Sequence, residues 1–250
     1  MSKSSDSPSF QSLVSTLSAL PPPLLPPGHS RLPHLTAAIA SLLLHPTLEA
    51  TLHLLNHDLP SAHFLVRKMQ AAPAFEGMLL HAMLHRIEGD YNNARAWYAD
   101  CAGAGVVGWC WADGEDGDGE KGEGPVVQKK GDEMEAGEEG GEKGEWDGRA
   151  ANADELEEVE TVKGPRRGGP ALRRALEFVD AVEKLKRDGE GNKAELEGVS
   201  GREIRRMLDW CVRRFGTEEV LDASGAWKQS EAHREMQVDM TTGGKGFRKF

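Results

Sequence analysis

The sequence predicts an all-α fold: helical hairpins packed with C-terminal helices, with a long disordered acidic insert between them. Three observations predict it. Apolar residues recur at intervals of three and four through most segments outside 113–169. Those segments are punctuated by helix signals, with Asp58 and Asp90 as starts and Gly89 and Gly216 as stops. From Asp113 to Gly169 the composition turns to Gly, Glu, Asp and Lys, and offers too little apolar surface to offset the entropy of ordering.

The first helix is expected from Ser9 to Leu20, with Phe10, Leu13, Val14, Leu17 and Leu20 on one face and Pro8 able to start it. "PPPLLPPG" stops it and reads as a stiff linker. One helix is then expected over "LPHLTAAIASLLLH", ending at Pro46, which opens "PTLEATLHLLN". Asp58 and Pro60 start "PSAHFLVRKMQ", and "APAFEGMLLHAMLHRIE" follows. Gly89 ends that helix, and Asp90 caps "YNNARAWYADC". Order resumes at Pro170 with an apolar stripe through Leu172, Ala175, Leu176, Val179, Val182 and Leu185. "GREIRRMLDWCVRRFG" is expected to start at Ser200 and stop at Gly216, burying Ile204, Met207, Leu208, Cys211, Val212 and Phe215. "SEAHREMQVDM" predicts one more short helix before a Gly- and Lys-rich tail.

The domain plan is therefore an N-terminal helix and Pro-rich linker (1–31), a helical-hairpin domain (32–112), the acidic insert (113–169), and C-terminal helices and tail (170–250) that complete the same domain. "DELEEVE" is the one stretch of the insert with transient helical character. The charge is uneven. Residues 113–160 hold 19 acidic and 5 basic residues, a net of −14 against −11 for the whole chain, so the remainder carries +3. The acidity describes the insert and not a binding surface. An apolar fraction of 38% agrees with a chain of which part lies outside any core.

Three cysteines, Cys101, Cys110 and Cys211, give neither a disulfide framework nor a Cys-x-x-Cys zinc pair. They point to a reduced, cytoplasmic or nuclear setting. The first residues lack a basic start followed by an unbroken apolar run, so a secretory signal is not expected. "AAIASLLL" falls well short of the roughly 20 apolar residues a membrane span needs.

A shift of 32 residues aligns "HLLNHDLPSAHFLVRKM" with "HRIEGDYNNARAWYADC". His53 meets His85, Asp58 meets Asp90, Ala62 meets Ala94, and Val66 meets Tyr98. Physically this is two hairpins, each with an alanine where helices approach closely and a larger apolar residue one turn on. "EGDYNNARAWYADC" resembles the second half of a tetratricopeptide repeat, with Ala94 and Tyr98 as its A-x3-F step and Ala62 and Val66 as a weaker copy. The first half departs: Met78, His81, Ala82 and His85 stand where the family has W-x2-L-G-x2-Y. The resemblance covers about a quarter of the chain and implies protein or peptide binding without catalysis. "HRIEGDYNNARAWY" and "DASGAWKQSEAHREMQVDMTTGGKGFRKF" together resemble a group of fungal proteins to which no activity attaches.

His81, His85 and Glu88 stand at i, i+4 and i+7 and share one helix stripe. Two such histidines and a carboxylate can ligate one metal ion. The motif is not H-E-x-x-H, because Ala82 occupies the place of the general base. His53 and His57 form a second i, i+4 pair, and the repeat register brings His53 towards His85. The bland reading is a polar groove of histidines satisfied by carboxylates and backbone. Arg86 and Glu88 then read as surface ion pairs, Asp90 as a cap, and Asn93 as a turn residue. Trp97 and Tyr98 read as core.

The leading expectation is a non-enzymatic interaction protein that binds a protein or peptide through a groove of His53, His57, His81, His85, Arg86, Glu88 and Asn93. It needs no cofactor. The second is a metal-binding protein or metal-dependent enzyme using His81, His85 and Glu88. The third is a weak RNA binder through the arginine-rich helix 201–215, with Arg202, Arg205, Arg206, Arg213 and Arg214. No nucleophile motif is present, and neither "KGPRRGG" nor "GGKGFRKF" fits a phosphate-binding loop.

Overall fold

Side chains that accept a free N–H, or prolines that lack one, set most helix starts in this chain. A computed structural model describes residues 8–112 and 169–228. Among these residues the structure is all helical, without a strand. Helix α1 (Phe10–Ser18) is capped by Ser9, whose hydroxyl accepts from Ser12 N–H. The segment expected as one helix over Leu32–His45 is broken. A 3-10 turn at Pro33–Leu35 leads into a five-residue α2 (Thr36–Ala40), and Leu43 then turns to φ +50°. That turn frees His45 to cap α3 (Pro46–Leu55), its Nδ1 accepting from Thr47 N–H.

Asp58 caps α4 (Leu59–Val66), and α5 (Phe75–Glu88) ends at Gly89, whose φ of +88° is the left-handed stop expected there. Asp90 caps α6 (Tyr91–Asp100) as expected. A short α7 (Gly105–Cys110) was not foreseen: its glycines interrupt any readable apolar period. Helix α8 (Pro170–Asp188) buries Leu172, Ala175, Phe178, Val179 and Val182. Helix α9 (Lys193–Phe215) starts seven residues before Ser200, because Asn192 and not Ser200 is its cap. Ser200 is inside the helix and wholly buried. The expected insert (113–168 of it), "DELEEVE", the helix after Ser230, and the tail lie outside the described residues.

Helices α3 and α4 pack together, as do α5 and α6, and α4 packs on α5. Helix α9 lies against α3 and α7, and α8 lies against α6. The proline run is not a free spacer. Leu13, Leu17 and Leu24 are buried, and the Pro21 carbonyl meets His57 Nε2 at 2.8 Å. Burying Leu13 and Leu17 contributes roughly 3–6 kcal/mol, enough to hold α1 on α3. Gly201 is required where α9 meets this run: a Cβ there would stand 2.7 Å from Pro22 Cγ.

The centre of the fold is polar. Arg86, read from sequence as a surface or groove residue, is wholly buried and donates to Glu203 Oε2 at 2.8 Å and to Ser200 Oγ at 3.3 Å. Tyr98 OH (2.6 Å) and Trp111 Nε1 (3.0 Å) donate to Glu203 Oε1, and Ser200 Oγ donates to the Pro23 carbonyl (2.6 Å). The Arg86 guanidinium also lies 4.5 Å over the Phe178 ring. A lone arginine at this depth would carry a desolvation cost of several kcal/mol; Glu203 and the hydroxyls offset it. Burial pulls the Arg86 pKa down, but Tyr98 and Glu203 outweigh it and leave it raised.

Arg86→Met should cost about 3–5 kcal/mol, because Glu203 is left as a buried unpaired charge. The double variant with Glu203→Gln should recover part of that loss, since Gln still accepts from Tyr98 and Trp111. Urea denaturation checks both, and a loss under about 1 kcal/mol for Arg86→Met would contradict the account. Burial, then Arg214, lowers the His45 pKa from 6.5 to about 4. The unfolded chain therefore takes this proton first, so His45 contributes fully above pH 6.5 and its contribution is lost as pH falls towards 4. His45→Asn keeps a capping side chain that does not titrate, and should flatten the decline of stability over that window.

Candidate functional site

Helix α4, which packs on α5, presents His63 beside the buried Ala62. Helix α5 presents His81 and His85 one turn apart. Packing of α4 on α5 brings the three rings together, and one nitrogen from each lies within 4.8 Å of the others. His63 Nε2 and His81 Nε2 are 2.8 Å apart. His81 and His85 stack at a centroid distance of 4.8 Å, and His63 meets both edge-on. Trp97 of α6 stacks on His81 at 4.4 Å.

Glu88 sits behind the rings. Its Oε1 is 3.2 Å from His63 Nδ1, and its Oε2 is 3.7 Å from His85 Nδ1. Asp90 Oδ2 lies 3.8 Å from His85 Nδ1. The Glu88 carboxylate at His63 Nδ1 places that ring's proton there and leaves its Nε2 as the lone-pair donor, whereas His85 Nδ1 has carboxylates near it but no hydrogen bond to either. Burial, then His63, lowers the His85 pKa; Glu88 and Asp90 pull the other way and lose. The surroundings of His85 therefore favour the neutral imidazole. His63 and His81 share one proton across their 2.8 Å contact, since one Nε2 must donate and the other accept.

The sequence-predicted residues separate into two groups. His81, His85 and Glu88 come together, with Glu88 as the acceptor behind the ring and not as a third converging ligand. His53 does not reach His85: it is buried between Glu49 (3.7 Å) and Asp58 (3.4 Å). His57 turns to φ +58° and meets the Pro21 carbonyl. Arg86 belongs to the core network, and Asn93 donates to Asp90 Oδ2 at 2.6 Å in the turn. His63 takes the place the repeat register gave to His53. Its signal was its position next to Ala62, the close-approach residue.

The arginine helix is largely engaged. Arg206 donates to the Cys110 and Ala112 carbonyls, Arg213 pairs with Asp209, and Arg214 pairs with Glu76. Arg202 and Arg205 remain exposed. A cleft of about 560 Å³ between α7, α8 and α9, with Trp111, Arg174, Phe178 and Arg202 in its lining, does not include the histidines.

The chain matches no family model, no curated protein and no solved structure. The site's chemistry therefore stands on its own geometry. At pH 8, long-range proton–nitrogen spectra of metal-free protein should show His63 protonated on Nδ1. Glu88→Ala should shift that population towards the Nε2 tautomer. Unchanged tautomer populations in the variant would remove Glu88 from its role.

Proposed function

We propose that this is a metal-binding helical protein whose centre is His63, His81 and His85. The observation that carries the reading is the convergence of three imidazole nitrogens within 4.8 Å from two helices, backed by one carboxylate. Three imidazole nitrogen donors suit zinc, copper, nickel or cobalt, and not magnesium or calcium, which prefer oxygen. Metal bonds of about 2.0–2.1 Å put two tetrahedral nitrogens about 3.3 Å apart, so His63 and His81, at 2.8 Å, need to open by about half an ångström, and the widest of the three separations, up to 4.8 Å, needs to close by about 1.5 Å. Glu88 supplies the outer acceptor that metal-bound histidines almost always have.

A second reading, the tetratricopeptide-like interaction module, is supported by a different observation. The pairs α3–α4 and α5–α6 follow one another with Ala62 and Ala94 buried at equivalent steps. Phe64, next to His63, is 59% exposed and offers an apolar contact for a protein or peptide. The two readings share α4 and are compatible.

Calorimetric titration of chelator-treated protein with zinc should give one site per chain. His63→Ala, His81→Ala and His85→Ala should each weaken it by at least about tenfold. At 100 times the dissociation constant, zinc should stabilise the fold by about 2.7 kcal/mol. Absence of stoichiometric binding, or a triple variant that binds like the parent, would sink the metal reading.

A further inference from the structure

We infer that a metal held by His63, His81 and His85 keeps one coordination position open to an external ligand, water or a small anion that replaces it. The inference rests on the metal reading above and goes on to say what kind of centre it is. Closed structural zinc sites take four protein ligands, whereas exchanging sites take three and a solvent molecule. Among the described residues, three ligand groups converge here and no fourth joins them.

Each neighbouring candidate is turned elsewhere. Glu88 lies 3.2 Å from His63 Nδ1 and 3.7 Å from His85 Nδ1, on the far side of His63 from the Nε2 that meets His81. Asp90 accepts from Asn93 through both its oxygens. His53 and His57 are engaged with Glu49, Asp58 and the Pro21 carbonyl. Cys101, the thiol one turn beyond Trp97, meets the Phe75 carbonyl and is buried.

The approach is one-sided. Trp97 covers one face of His81, which is buried, while the His63 side chain is 31% exposed and Glu88 is 34% exposed. The external ligand therefore enters over His63. Three neutral imidazoles leave the full charge of a divalent ion at the site, and the single carboxylate of Glu88 offsets only part of it. Such a centre binds anions and lowers the pKa of a bound water towards about 7, with the proton released to solvent. The external ligand is thus hydroxide at alkaline pH or another small monovalent anion.

The test uses the full chain loaded with cobalt(II) in a non-coordinating buffer, with azide as the probe. Visible absorption should shift saturably with azide, one equivalent per bound cobalt. It should also shift with pH between about 6 and 9, and azide should abolish that pH response. If cobalt does not bind stoichiometrically, the metal reading itself fails. If cobalt binds but its spectrum ignores both azide and pH, the chain closes the fourth position and this inference is overturned.

Discussion

Arg86 and Glu203 stand 117 residues apart in the chain and meet in the middle of it. Most of the fold is arranged around their pairing. Glu203 collects Tyr98 from α6 and Trp111 from the end of α7, while Arg86 reaches through Ser200 to the proline run at Pro23. Five separate stretches of sequence thus terminate on two side chains. The apolar residues around them would accept many arrangements of helices. The buried charges are more selective, because drawing Arg86 away from Glu203 leaves each unpaired at a cost of several kcal/mol.

That constraint sets the precision of the histidine site. His85 is the residue before Arg86, and His81 lies one turn earlier on α5. A helix advances about 100° per residue, so α5 uses one side to hold the core and the next to present imidazoles. The rings of His81 and His85 are therefore fixed by a network they do not belong to. His63 comes from α4, an eight-residue helix whose grip is Leu59, Ala62 and Val66. The site is a firm pair of donors on one helix facing a single donor on a shorter one. The Glu88 carboxylate is common to both helices, since it reaches His63 and His85 alike.

Much of the helix plan was legible because caps and stops act locally. Asp58, Asp90 and Gly89 do in the fold what their types predict, since each satisfies backbone groups within three or four residues. Arg86 was not legible. An arginine between His85 and Ile87 looks the same whether its partner is water or Glu203, and nothing local names a partner so far along the chain. The start of α9 was misplaced for a related reason: Ser200 has the chemistry of a cap but spends its hydroxyl on the Pro23 carbonyl. In the site, the stripe of His81, His85 and Glu88 was readable from spacing alone. The identity of the third imidazole was not, because it depends on which face of α4 meets α5. A repeat register pairs equivalent positions of two hairpins, whereas the packing pairs the second helix of one with the first helix of the next.

The described chain leaves the helical core at Ala112 and re-enters it at Gly169. Arg174 closes the gap from within: its Nε donates to the Trp111 carbonyl at 3.0 Å, with Nη2 on the same oxygen. Arg206 holds the carbonyls of Cys110 and Ala112 beside it. The end of the first segment is thus fastened to α8 and α9. Two guanidinium groups therefore do for the two described segments what a covalent link does elsewhere: they fix where one ends relative to where the other begins.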